Sequence, residues 1–289
     1  MLVCRLLRRR VPRNDVSFIC LQVSCYNKST MSAKKPKLTA YLTLTPDMKK
    51  RFRSKLRTCA VTTIAEPINM DNLNADTEIL AVFVDSHVTK QMIAKMPKLK
   101  LIVTLSTGFD HIDLTAAKAR HIPVCNVPSY GESTVAEYAL GLMLSITRNL
   151  FPATKSVKEG KFAHAGFRGC DIEGKVVGVI GTGRIGRHLI SLLQGFGAEI
   201  IGFDPYPNEA LQKSPDFEYV TMPGLLRRSD IISLHAPLTA VNHHLIDKKA
   251  IKKMKQGVYI INTARGGLIS SAALVWGLEQ GIVAGAALD

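Results

Sequence analysis

Three glycines are the residues that most directly suggest chemistry. Gly181, Gly183 and Gly186 stand in the spacing G-x-G-x-x-G, directly after the apolar run KVVGVI and at the opening of a helical-looking stretch, Arg184 to Phe196. A turn of this kind brings backbone N–H groups close to a pyrophosphate, whose charge then rests on the positive end of a helix. A second apolar run, EIIGFD, ends in Asp204, 18 residues after Gly186. A carboxylate near that spacing can accept hydrogen bonds from the ribose hydroxyls of an adenosine and would repel a 2′-phosphate. The set predicts a dinucleotide site that prefers NAD to NADP. The same residues would also suit a close-packed strand–turn–helix with no ligand, with Asp204 in a solvated turn before Pro205. Strand, glycines and acid in register favour the ligand.

Ligands of open α/β sheets lie beyond the carboxyl ends of the strands, so the next question is what each strand delivers there. DIISLH delivers His235 and then Pro237; GVYIINT delivers Thr263, Ala264 and Arg265 ahead of Gly266 and Gly267; IVAGAALD delivers Asp289. An arginine among small residues beside a nicotinamide is placed to hold a carboxylate in two parallel hydrogen bonds, the alternative being a surface ion pair. His235 invites assignment as a base, but one histidine without a carboxylate partner is not a mechanism, and a ring held by backbone groups at a strand end is the simpler reading. His243 and His244 adjoin in a polar loop and read as solvated, while His111 reads as a helix-entry residue. Tyr130, in VPSYGEST, sits at the mouth between two units, either facing a ligand or packing at a turn.

The elements that must position these groups alternate. KLTAYLTL, CAVTTI, EILAVFV and LKLIVTL read as strands, and DMKKRFRSKL, TKQMIAKM and LTAAKAR as helices, a rhythm that implies a parallel sheet covered on both faces. The stretch from Ser133 to Leu150 carries apolar residues at helical spacing, with Ser133 or Thr134 as a plausible cap and Pro152 near its end, and reads as a connector. A second α/β unit follows through KVVGVI, EIIGFD, DIISLH, GVYIINT and IVAGAALD, with helices also at Asp247 to Met254 and Ser270 to Gln280. The expected organisation is a basic extension at 1–35, a substrate or catalytic domain at 36–130, and a dinucleotide-binding Rossmann domain at 131–289.

Of the 38 basic residues, 15 lie in the first sixty positions beside two of the 23 acidic ones, so the net charge of +15 belongs almost wholly to the head. A basic head on a near-neutral body argues against a nucleic-acid groove. With five Arg and no acid before Asp15, the opening MLVCRLLRRRVPR has the composition of a mitochondrial presequence, yet Met31 begins a natural start just ahead of the first strand. The expected compartment is cytoplasmic, or mitochondrial if residues 1–30 are a genuine presequence. No apolar run approaches the roughly 18 residues that a spanning helix needs, so no membrane partner is expected. The six cysteines show no C-x-x-C pair or spacing that joins them to histidine as metal ligands, and read as reduced thiols.

LSTGFDHIDL (105–114), VPSYGESTVAEYALGLML (127–144), GVIGTGRIGRHL (178–189), FDPYPN (203–208), SLHAPLT (233–239) and INTARGGLIS (261–270) together resemble the D-isomer-specific 2-hydroxyacid dehydrogenases, especially the D-lactate dehydrogenase-like branch. The resemblance runs from about Leu38 to Asp289. It implies an α/β fold of two flavodoxin/Rossmann-like domains with parallel sheets, the NAD-binding domain second, an active site in the cleft, and a homodimer built on the helix from Ser133. It further implies pyrophosphate contacts at Arg184 and Ile185, a ribose contact at Asp204, other cofactor contacts at Ala236, Pro237, Asn242, Thr263 and Ala264, and the nicotinamide carboxamide at Asp289. The carboxylate of a small 2-hydroxy or 2-oxo acid would meet Arg265 and the backbone around Thr107 and Gly108, with Tyr130 nearby. Leu105 stands where many D-lactate dehydrogenase-like relatives carry Arg, which leaves the exact substrate open. The family's catalytic Glu and His fall beyond the position matching Asp289. The resemblance therefore implies either an NAD-dependent dehydrogenase whose activity in this chain is open, or a non-catalytic NAD-binding scaffold like the corepressors of the same family.

Overall fold

The computed structural model describes residues 35–129, 131–162 and 165–289; the expectations for residues 1–30 and for Tyr130 lie outside them. The chain divides into two compact units, one ending at Tyr130 and one running from Gly131 to Asp289.

The first unit runs β1 (Lys37–Tyr41), α1 (Pro46–Lys55), β2 (Ala60–Ile64), β3 (Ile79–Val82), α2 (Lys90–Lys95), β4 (Leu101–Thr104), α3 (Leu114–Ala119) and β5 (Val124–Cys125). Its strands pair in parallel in the order β2-β1-β3-β4-β5, the doubly wound arrangement of flavodoxin-like sheets. Successive residues of β3 and β4 point to opposite faces, and both faces are apolar. Ile79, Ala81, Leu101 and Val103 pack with Phe52 and Leu56 from α1 and the residue after it. Leu80, Val82 and Ile102 pack on the other side with Met92, Ile93 and Ala117 from α2 and α3. Thr45, Thr89 and Asp113 cap the three helices by accepting a backbone N–H from inside the first turn.

The second unit opens with α4 (Glu132–Thr147) and α5 (Leu150–Lys158). It continues through β6 (Val176–Ile180), α6 (Arg184–Gln194), β7 (Glu199–Phe203), α7 (Glu209–Gln212), β8 (Glu218–Tyr219), α8 (Met222–Arg228), β9 (Ile231–Leu234), α9 (Lys248–Ile251), β10 (Val258–Asn262), α10 (Ser271–Glu279) and β11 (Val283–Leu288). The parallel order β11-β10-β9-β6-β7-β8 is, counted within the unit, the 3-2-1-4-5-6 sequence of a Rossmann sheet, whose direction reverses between β6 and β9. One face packs on α4 and α6 through Ala136, Ala139, Met143, Leu189 and Leu193. The other packs on α8, α9 and α10 through Leu225, Ile251 and Leu274.

The connector helix departs from the expectation for Ser133 to Leu150. It starts at Glu132 with Gly131 as N-cap and no side-chain cap, and stops at Thr147. Asn149 then turns the chain in the left-handed region at φ 50°, and Pro152 falls in the first turn of α5, where its missing N–H costs no helical hydrogen bond. The short strands β5 and β8 and the helices α5, α7 and α8 have no counterpart among the elements expected from the sequence. Among the described residues no helix is long and apolar enough to cross a membrane, and no group of His, Cys, Asp and Glu could hold a metal ion.

Candidate functional site

The parallel ladder of the second unit sets Leu288, Asn262, Leu234, Ile180 and Phe203 side by side in one row. The next residue on each strand is therefore Asp289, Thr263, His235, Gly181 and Asp204. At about 4.8 Å between strands, this line of strand ends is about 19 Å long. Backbone bonds hold the step past the sheet: Gly181 N–H donates to Phe203 O at 2.9 Å, His235 N–H to Ile180 O at 2.7 Å, and Asp289 N–H to Asn262 O at 3.0 Å.

Each fingerprint glycine meets a different steric demand. Gly181 has φ +92°, and a Cβ there would stand 2.7 Å from the peptide joining His235 to Ala236, so the turn after β6 lies directly against the end of β9. At Gly186 a Cβ would stand 2.0 Å from Gly181 O, which fixes how closely α6 approaches the turn. A Cβ on Gly183 would meet nothing within 4 Å. The first and third glycines serve the packing of the turn, whereas the second leaves an open cradle at the start of α6. That helix begins without a side-chain cap, so Arg184 and Ile185 present the first turn's N–H groups to whatever fills the cradle. The Arg184 side chain pairs with Glu132 at 3.1 Å.

Asp204 is tied to the same turn. Its Oδ2 accepts the Thr182 N–H at 2.8 Å and the Thr182 hydroxyl at 3.2 Å, and its Oδ1 accepts the Tyr206 N–H at 2.9 Å. On the other side of the row, the Thr263 hydroxyl is buried and has no hydrogen-bond partner among the described residues. A buried hydroxyl without a partner is rare because it forfeits the bonds it made in water. Beside it, buried Asn262 clamps the loop that carries Arg265: its Oδ1 accepts the Ala264 N–H at 3.0 Å and its Nδ2 donates to Arg265 O at 2.8 Å. Arg265 Nη1 donates to Ala264 O at 2.8 Å. The open cradle, the uncapped helix, the acid at the end of β7 and the orphaned hydroxyl fit a dinucleotide laid along the row.

After β9 the loop is shaped from within. Asn242 accepts the Thr239 N–H at 2.7 Å and donates to Pro237 O at 2.7 Å, so its amide holds Ala236 and Pro237 at the row's edge. His243 and His244 are exposed and their rings stack, with centroids 3.9 Å apart. His235 is not held by backbone groups at its ring, as the sequence suggested. Its Nε2 bonds to Ser233 Oγ at 2.8 Å, and burial pushes its pKa down to about 4, so the imidazole is neutral at pH 7.

In the first unit, the carbonyls of Thr107 and Gly108 are taken by Asn126 Nδ2 at 2.7 Å and Ser106 Oγ at 2.6 Å, which fixes the course of this loop. His111 is not a helix-entry residue. It is buried, with Nε2 3.1 Å from Thr104 Oγ1, and the cap of α3 is Asp113. Leu105 is partly buried against the core that faces α1.

Residues 140–289 match the NAD binding domain model of the D-isomer specific 2-hydroxyacid dehydrogenases. The chain belongs to this family. It is 38% identical over 214 residues to the D-lactate dehydrogenase of Escherichia coli K12, a match covering 73% of this chain and 65% of that protein. With the aromatic 2-oxoacid reductase of Clostridium sporogenes it shares 46% identity over 192 residues, 66% of this chain and 57% of that protein. Thus the chain spans under two thirds of the length of either relative. The crystal structure of an Aquifex aeolicus D-lactate dehydrogenase complexed with NAD and lactic acid superposes with a TM-score of 0.81 at 32% identity, covering 87% of this chain and 76% of that one. These likenesses set the protein in the D-lactate dehydrogenase-like branch of the 2-hydroxyacid dehydrogenases, with NAD as the cofactor of its second unit.

The depressed His235 pKa sets a pH dependence of stability. Between pH 6.5 and pH 4 the unfolded chain takes up a proton that the native ring refuses, so stability falls as pH drops through that window and levels off below it. The contribution is at most about 3 kcal/mol. In His235→Gln, thermal melts from pH 7 to pH 4 should show a shallower loss of stability than in the parent; equal slopes would contradict the neutral buried ring.

Proposed function

We propose that the protein is an NAD-dependent oxidoreductase acting on CH–OH donors, interconverting a small D-2-hydroxy acid of the lactate class and its 2-oxo acid. The observation that carries this reading is the row of strand ends, in which Asp204, the glycine turn, His235 and Thr263 with the Arg265 loop follow one another across adjacent strands. NAD, when bound, supplies the carbon that accepts or returns the hydride. Gly181, Gly183 and Gly186 with the N–H groups of Arg184 and Ile185 hold its pyrophosphate, and Asp204 receives the ribose. Ala236, Pro237 and Asn242 wall the site, the Thr263 hydroxyl and Ala264 line the nicotinamide end, and Asp289 takes the carboxamide.

Arg265 binds the substrate carboxylate and draws charge toward itself, holding the acid still while the reacting carbon faces the cofactor. In the first unit, Thr107 and Gly108 offer backbone N–H groups to the same kind of carboxylate, and the resemblance to the family adds Tyr130 to that set. His235 is not the proton donor in this reading, because its ring is neutral and bonded to Ser233. The assay is NADH oxidation with pyruvate, phenylpyruvate, glyoxylate and hydroxypyruvate, run beside NADH binding by fluorescence. Turnover with any of them supports the enzyme, whereas binding without turnover supports the scaffold reading.

In Gly183→Ala the added Cβ enters the cradle and meets no protein atom within 4 Å, so NADH binding should weaken at least about tenfold while the melting temperature stays unchanged. An unchanged affinity would place the pyrophosphate elsewhere. Arg265→Gln should weaken oxamate, a non-reducible pyruvate mimic, by about 10- to 100-fold in the presence of NADH. Equal oxamate affinity in parent and variant would remove Arg265 from the substrate site.

We further infer a homodimer formed on α4 and the helix after it, a face that leaves Tyr138 and Leu150 each 49%, Val157 65% and Phe151 67% exposed. That is an unusual density of large apolar side chains for open surface. Sedimentation should give a dimer for the parent and a monomer for Phe151→Asp; a monomeric parent would refute it.

A further inference from the structure

Tyr219 lies on β8, an edge strand, level with Gly202 on β7, and none of the roles above uses it. Its hydroxyl is 2.7 Å from Thr182 Oγ1 and accepts the Asn208 N–H at 3.0 Å. Thr182 Oγ1 is in turn 3.2 Å from Asp204 Oδ2, which also takes the Thr182 N–H at 2.8 Å. An ionised carboxylate only accepts, and each hydroxyl has a single proton to give. Only one order of donors satisfies all these contacts. Thr182 O–H donates to Asp204, Tyr219 O–H donates to Thr182, and the Tyr219 oxygen takes the Asn208 N–H.

The chain of bonds is set in packed ground. Thr182 is 2% exposed. Phe217 meets Tyr219 edge to face, with centroids 4.8 Å apart. Phe217 occupies the space that a side chain on Gly202 would need, since a Cβ there would stand 2.4 Å from the ring and 3.2 Å from the Thr182 methyl. Asp204 Oδ2 is thus filled by two donors from Thr182, while Oδ1 holds the Tyr206 N–H and keeps a lone pair for a ligand hydroxyl. A ribose 2′-hydroxyl can donate to that lone pair. A 2′-phosphate brings negative charge to it and gains only if the carboxylate can turn away.

We propose that Tyr219 and Thr182 are positioning residues whose ordered hydrogen bonds lock the Asp204 carboxylate in the orientation that distinguishes NAD from NADP. The inference rests on the reading of Asp204 as the ribose acceptor. Its test uses the full chain and fluorescence titrations of NADH and NADPH, taking the ratio of the two dissociation constants as the readout. Asp204→Asn examines the underlying reading and should collapse the preference for NADH. Tyr219→Phe and Thr182→Val should each lower the ratio by about fivefold, the worth of one lost hydrogen bond, while Thr182→Ser, which keeps the hydroxyl, should retain it. A general loss of packing would weaken both nucleotides alike and leave the ratio unmoved. If Asp204→Asn collapses the preference and Tyr219→Phe and Thr182→Val do not lower it, the relay is refuted and the ribose reading stands. If the parent shows no preference, or Asp204→Asn leaves it intact, the ribose reading falls and takes the relay with it.

Discussion

The structure depends on the register of the second unit's parallel ladder. Only with Ile180 beside Leu234 and Phe203, and Asn262 beside Leu234, do the glycine turn, Asp204 and the Arg265 loop leave the sheet at one level. Both faces of these strands are apolar, so hydrophobic alternation by itself would allow a slip of one residue. Small residues remove that freedom. A Cβ on Gly178 would stand 2.2 Å from Ser229 Oγ and 2.8 Å from a Leu225 methyl, and one on Gly202 would enter the Phe217 ring. A slip by one residue would drive Val177 or Val179, Ile201 or Phe203, into those contacts.

Given that register, the polar groups at the carboxyl edge divide into those the protein satisfies and those it leaves open. Asn262 and Asn242 spend both ends of their amides on their own loops, and His235 spends its ring on Ser233. These residues shape the walls. Gly183 and Thr263 leave space and an unmet hydroxyl between the shaped loops. A rigid frame around unfilled donors and acceptors favours binding, because the frame has little freedom left to lose when the ligand arrives.

Much of this was legible in the residues because the demands are local. Three glycines, a strand before them and an acid after the next strand each answer a constraint set within a few residues, and the structure sets Gly181 and Asp204 on either side of the β6–β7 ladder, with Gly183 and Gly186 at the start of α6. Among the described residues, nine of the eleven strands coincide with short apolar runs of the sequence, whereas β5 and β8 hold two residues each and carry no periodicity. The end of α4 was misplaced because it is decided by Asn149 turning left-handed, not by a break in the apolar pattern. Partners distant in sequence were beyond reach. Tyr219 meets Thr182 across 37 positions, and nothing in EYV or GTG announces it. Asn262 was within reach, since an asparagine ending a strand before a small-residue loop is a common way to bracket a turn.

The strand ends of the second unit are proposed to form one dinucleotide site. Its most direct test is an NADH titration followed by backbone amide NMR on the isotopically labelled chain. The account predicts saturable shifts at 181–186 and at the amides of Asp204, Ala236, Thr263, Ala264 and Arg265, converging on a single dissociation constant. Shifts confined to other surfaces, or a spectrum unmoved by saturating NADH, would contradict it.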